Sequence, residues 1–99
     1  MQWYVYILSC ADGIYYTGIT TDLNRRVDQH NSKKGAKSLR GKLPVKIVYN
    51  ESYKDHVLAA KREREIKGWR REKKTLLVED FSLRTKEGFS LRSKATKAR

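Results

Sequence analysis

Cysteine, proline and histidine are nearly absent: the 99 residues include one Cys, one Pro and two His. Cys10 alone cannot build a disulfide framework or a Cys-rich zinc site. With only His30 and His56 beside it, any bound metal is expected to be a hard cation held by oxygen. A lone thiol also makes a reduced, cytoplasmic setting the expectation. No apolar run approaches the ~20 residues of a membrane helix. The opening Met1-Gln2-Trp3-Tyr4-Val5-Tyr6-Ile7-Leu8 lacks the basic start and small-residue cleavage site of a secretory signal. Acidic residues are scarce too, 11 against 23 Lys and Arg, giving a net charge of +12 and a pI near 10.0. That excess opposes compaction and suits a polyanion. Nucleic acid is the expected partner, DNA before RNA. A membrane surface is not, because no long helix joins a clean apolar face to a basic one.

What the chain does contain is enough for one small domain. Hydrophobic residues at 38% and aromatics at 10% support a modest, bulky core and argue against full disorder despite 34% charge. Charge is unevenly spread: residues 1–80 hold 17 basic and 10 acidic side chains, residues 81–99 hold 6 and 1. The second stretch also carries a short repeat, Phe81-Ser82-Leu83-Arg84-Thr85-Lys86 and Phe89-Ser90-Leu91-Arg92-Ser93-Lys94. We read 1–80 as the folded domain and 81–99 as a basic, mobile C-terminal tail, an eight-residue polar period being too short for a solenoid.

Residues 3–9 and 14–20, rich in Tyr, Ile, Val and Thr, read as two strands joined at Asp12-Gly13. Asp22 can cap a helix to about Asn31 with Leu23, Val27 and His30 along one side. Residues 32–44 read as a loop and Val45 to Tyr53 as a third strand. Asp55 can cap a longer helix through Trp69, whose expected inner face is Leu58, Ala59, Ile66 and Trp69. Arg62 falls in the middle of that face, in conflict with simple amphipathicity. A last helix, about 71–79, is expected to bring Leu76 and Leu77 to the core. The order ββαβαα is an α+β fold, a small antiparallel sheet flanked by helices.

The turn decides where the tyrosines point. A two-residue Asp12-Gly13 loop would put Tyr6 and Tyr16 on opposite sides of the sheet. A three-residue loop, Ala11-Asp12-Gly13 with Gly13 left-handed, pairs Leu8 with Tyr16 and Tyr6 with Gly18. Both tyrosines then share a face as diagonal neighbours, ~7 Å apart. Strand tyrosines are usually packing residues, so their company matters. Arg26 and His30, four apart on the following helix, share a face at the rim of the Leu23/Val27 stripe. Arg25 points elsewhere and reads as a surface phosphate contact. From Arg25 to Lys46 there are eight basic residues opposed only by Asp28. Lys33, Lys34, Lys37, Arg40 and Lys42 are expected to follow a phosphate backbone. No recognition helix or zinc finger is evident, so little base specificity is expected.

Tyr4-Val5-Tyr6 and Tyr16-Thr17-Gly18, then Arg26, His30, Gly35-Ala36-Lys37 and Arg62-Glu63 before Ile66-Lys67, occur in the order of a known set. The chain resembles the GIY-YIG nuclease superfamily over about residues 2–78, and most of all its small standalone bacterial branch. The resemblance implies a three-stranded antiparallel sheet with helices around it, and metal-dependent cleavage of a DNA phosphodiester. It makes Tyr6, Tyr16, Arg26, His30 and Glu63 the catalytic candidates, with Glu63 holding Mg²⁺ or Mn²⁺. Within Lys61-Arg62-Glu63-Arg64-Glu65 a glutamate is ordinarily a surface partner of its basic neighbours. On the helical wheel Glu63 borders the Ala59/Ile66 stripe and Glu65 the opposite flank.

Two departures stand out. Tyr4 replaces the first motif's glycine, and nothing downstream of Glu63 supplies the asparagine many relatives carry there. In the implied chemistry Arg26 grips phosphate oxygens, Tyr6 takes the proton of the attacking water and Tyr16 orients water or phosphate, with the two tyrosines open to exchange. Two functions compete: a metal-dependent endonuclease, or a non-catalytic DNA- or RNA-binding module on the same scaffold.

Overall fold

A computed structural model of the chain describes residues 1–32 and 41–91. It divides into two units, Met1–Trp69 and the stretch from Arg70 onward. The first begins with β1 (Trp3–Ser9) and β2 (Tyr15–Thr20), paired antiparallel with Tyr6 opposite Gly18 and Leu8 opposite Tyr16. That is the register of the three-residue loop. Gly13 takes φ +85°, Cys10 N–H donates to the Ile14 carbonyl at 2.9 Å, and the Asp12 side chain accepts from Ile14 N–H at 3.0 Å. A left-handed residue here is natural for glycine, which has no Cβ to clash. β3 (Lys46–Tyr53) pairs antiparallel with β1 on its other side, giving the order β2-β1-β3 with an irregularity between Ile7 and Leu8.

Alternation on β1 divides the core between the two faces of the sheet. Tyr6, Leu8 and Cys10 pack with Val45 on one face, with Tyr16, Ile47 and the Leu23 and Val27 stripe of α1 (Leu23–Asn31) against them. Asp22 caps α1 by accepting from Arg25 N–H at 3.1 Å. At the end of the helix, the Asn31 amide ties it to Val45, accepting from its N–H at 2.7 Å and donating to its carbonyl at 3.1 Å. The other face carries fully buried Val5 and Ile7 and is covered by α2 (His56–Lys67), through buried Ala59 and Ile66.

Four expectations change here. α2 stops at Lys67, where the Gly68 N–H turns back to the Arg64 and Glu65 carbonyls at 3.3 and 3.1 Å. Leu58 is 51% exposed and not on the inner face, because Ala59 and Ile66, seven apart, define that stripe and Leu58 lies a step around the wheel. The final helix α3 (Arg71–Leu91) runs well past 79. Leu76 is 67% exposed and Leu77 is half-buried, so neither is among the core residues. A helix with acidic Glu72 in its first turn and an Arg84–Asp80 pair at 2.7 Å supports itself locally.

Arg62, the misfit on the inner face of α2, has a partner the helix alone could not reveal. Its Nε donates to Glu51 Oε1 at 2.8 Å and Nη2 to Oε2 at 3.5 Å, while Nη1 donates to Glu65 at 3.1 Å. The guanidinium lies 5.0 Å from the Trp69 ring centroid. Tyr49 and Tyr53 hydroxyls donate to the same Glu51 carboxylate. Burial alone would raise the Glu51 pKa, but these three donors outweigh it and hold the carboxyl below the ordinary range. Burial, then the nearby carboxylate, pushes both phenols up to about 12. The cluster locks α2 to β3.

Candidate active site

Tyr6 is the centre of the first face. Central-strand position and the absence of a side chain at Gly18 let its ring lie across the neighbouring strand, where it is only 2% exposed. A Cβ at Gly18 would stand 2.6 Å from the Tyr6 hydroxyl and 2.7 Å from Cζ. α1 supplies the partners. His30, the buried residue of that helix, brings Nε2 to 3.5 Å from the Tyr6 hydroxyl, and its ring meets Tyr16 edge-on at 5.7 Å between centroids. Arg26, one turn earlier, lies near enough to the Tyr6 phenol to pull its pKa down and is itself held by Gln29, which accepts from Nη1 at 3.1 Å. Its Nε–H is buried with no hydrogen-bond partner among the described residues.

Burial raises the Tyr6 pKa more than the nearby Arg26 guanidinium lowers it, and the charges of Tyr16 and Glu63 push the same way as burial. His30 is shifted downward, first by burial and then by the Arg26 charge, so its neutral form is favoured. Glu63 therefore reaches this cluster through its field, from α2. Its carboxylate is one-fifth exposed and pairs with Lys67 at 3.2 Å, one turn along the helix.

A profile described as the GIY-YIG catalytic domain matches residues 2–76. The chain belongs to the GIY-YIG family. A UPF0213 protein of Haloquadratum walsbyi is 49% identical over 77 residues, spanning 78% of this chain and 86% of that protein. One from Desulfotalea psychrophila is 46% identical over 89 residues, spanning 89% and 77%. Among solved structures, the solution NMR structure of a UPF0213 protein from Bacillus halodurans is similar at 46% identity and a TM-score of 0.52, over 80% of this chain and 84% of that one. The solution NMR structure of a protein from E. faecalis is similar at 35% identity and a TM-score of 0.57, over 84% of this chain and 88% of that one. A GIY-YIG domain is a nuclease-superfamily domain, of a class that generally depends on divalent metal and binds nucleic acid.

In this GIY-YIG chain four candidates, Tyr6, Tyr16, Arg26 and His30, meet on one face, and the fifth, Glu63, acts on Tyr6 by charge. Of the expected phosphate contacts, Arg25 is exposed and lines an open pocket of about 210 Å³ with Trp3, Thr20, Arg26 and Gln29. Lys42 is half-buried and lies 3.8 Å from Asp12. Lys33, Lys34, Lys37 and Arg40 lie outside the described residues. Among the described residues no three His, Cys, Asp or Glu side chains cluster, and no helix is long and apolar enough to cross a membrane. A metal would thus rest on the lone Glu63 carboxylate. That suits Mg²⁺, which keeps several waters and takes one or two carboxylates plus phosphate oxygens. The carboxylate already holds one cation, the Lys67 ammonium.

Sequence reasoning missed Gln29, Glu51 and Lys67. For Glu51 a signal existed: Tyr49, Glu51 and Tyr53 alternate onto one face, and a basic side chain on an inner helix face demands a carboxylate opposite it.

Proposed function

We propose that this chain is a metal-dependent endonuclease that hydrolyses phosphodiester bonds in DNA with little sequence specificity of its own. The observation that carries this reading is the convergence of Tyr6, Tyr16, Arg26 and His30 around one buried phenol within the field of Glu63. Tyr6 is the better base of the two tyrosines because its hydroxyl holds the histidine. As Tyr6 takes the proton of an attacking water, its own proton passes to His30 Nε2, which burial keeps neutral and able to accept. Arg26 stabilises the negative charge that develops on the Tyr6 oxygen during this relay and, through its unpartnered Nε–H, a phosphate oxygen. Tyr16, edge-on to the imidazole, orients water or phosphate. Glu63 would hold Mg²⁺ or Mn²⁺, and the ion supplies charge neutralisation at the phosphate and the departing oxygen. Arg25, Lys33, Lys34, Lys37, Arg40 and Lys42 follow the backbone, and the basic residues 81–99 add non-specific affinity.

A second reading, a DNA- or RNA-binding module without catalysis, draws support from two observations. Tyr6 is shifted away from easy ionisation, and Glu63 is engaged by Lys67. Labelled duplex, nicked, branched and single-stranded DNA, and RNA, incubated with Mg²⁺, Mn²⁺ or EDTA, separate the two. The nuclease cuts DNA with metal and nothing in EDTA; binding without a cut in every arm supports the module.

A further inference from the structure

We propose that Lys67 is a displaceable counter-ion that occupies the cation position at Glu63 and sets the affinity of that carboxylate for a divalent metal, an inference that rests on Glu63 being the metal ligand. The two ends of the pair are built differently. Glu63 is one-fifth exposed, whereas Lys67 is 54% exposed at the last residue of α2, so the carboxylate is held while the ammonium is free to swing on its four-carbon stem. Two of the neighbouring charges are committed to each other and to β3. Arg62 is saturated by Glu51, Glu65 and the Trp69 ring, and Glu65 is drawn to Arg62. This cluster fixes the rotation of α2, and with it the direction in which Glu63, one residue on, projects from the helix. Lys67 is thus the cation that a metal meets at the carboxylate.

An ammonium 3.2 Å from the carboxylate and a divalent ion compete for the same oxygens. Loading the metal breaks the ion pair and leaves two positive groups close together, so affinity falls by the lost attraction plus their repulsion. A surface pair of this spacing is weak, which keeps the exchange reversible. The displaced Lys67 stays within a side chain's length of the metal and of any phosphate bound to it.

The test is Mn²⁺ binding to the full chain, followed by paramagnetic broadening of the His30 ring signals and by the electron paramagnetic resonance of free Mn²⁺. Lys67→Gln should bind Mn²⁺ about two- to fivefold more tightly than wild type. Lys67→Arg, which keeps the charge, should stay near wild type, and all should melt at similar temperature because Lys67 is exposed. Equal affinity in Lys67→Gln and wild type, with binding abolished by Glu63→Gln, would overturn the role of Lys67 and leave Glu63 as the ligand. Binding that Glu63→Gln leaves unchanged, or no binding in any form, would overturn the metal assignment and this inference with it.

Discussion

Gly18 stands opposite Tyr6 across the first strand pair, and the Tyr6 phenol fills the space a side chain at 18 would need. Alanine there forces the ring aside, because its Cβ would come within 2.7 Å of both the hydroxyl and Cζ. Gly18→Ala should therefore cut cleavage by at least tenfold while the sheet survives, since φ at this position is not left-handed. Single-turnover cleavage and a thermal melt check this; unchanged cleavage would show that Tyr6 is not the reacting phenol.

His30 gives a pH dependence whose sign follows from its downward shift. The unfolded chain binds the proton near pH 6.5 and the folded one only at lower pH, so acid favours unfolding. Stability is full above about 6.5 and declines as pH falls from there to the folded pKa. An NMR titration of the His30 ring should give a midpoint below 6.5, and melting temperature should drop across the same interval.

Glu63 and Glu65 differ in setting though not in charge. Glu63→Gln should lower cleavage by orders of magnitude with nucleic-acid binding unchanged or slightly tighter. Glu65→Gln, which loses only an exposed contact to Arg62, should leave cleavage within about twofold. Arg26→Ala should abolish cleavage and weaken binding modestly, one phosphate contact among several. Gel-based cleavage and filter binding on the same preparations read both effects, and equal losses at 63 and 65 would move the carboxylate role away from Glu63.

The cluster between α2 and β3 should show strong coupling. Arg62→Met alone leaves Glu51 half-buried without its cation and should cost about 2–3 kcal/mol, on the order of 10 °C in melting temperature for a domain of this size. Adding Glu51→Leu should recover only part of that, because it removes the stranded charge but leaves the Tyr49 and Tyr53 hydroxyls without their acceptor. Melts of the two single variants and the double complete the cycle; additive losses would mean that the pair is not coupled.

The parts of this molecule legible in its sequence are those set by near neighbours. Asp12-Gly13 with Ala11 determines the hairpin register, and that register alone puts Tyr6 and Tyr16 on one face. Asp22 and Asp55 mark both helix starts, since a capping carboxylate acts within three residues. Arg62 was opaque because its carboxylate comes from another element, and no wheel drawn on the helix shows a strand. The length of α3 was hidden for the opposite reason. Residues 81–91 are polar and repetitive, and a pattern reading stops where the apolar stripe fades, although the backbone continues as helix.

The strand order has a consequence for timing during synthesis. Tyr6, Tyr16 and His30 belong to a hairpin and the helix directly after it, so their cluster can form as soon as that stretch leaves the ribosome. Glu63 is delivered only after β3 has been added beside β1 and the next helix has closed over the opposite face. On the proposed chemistry, a growing chain carries its phenol and arginine early and its carboxylate last. A chain still being synthesised thus lacks the group that would hold the cation and stays unable to cut until its fold is nearly complete.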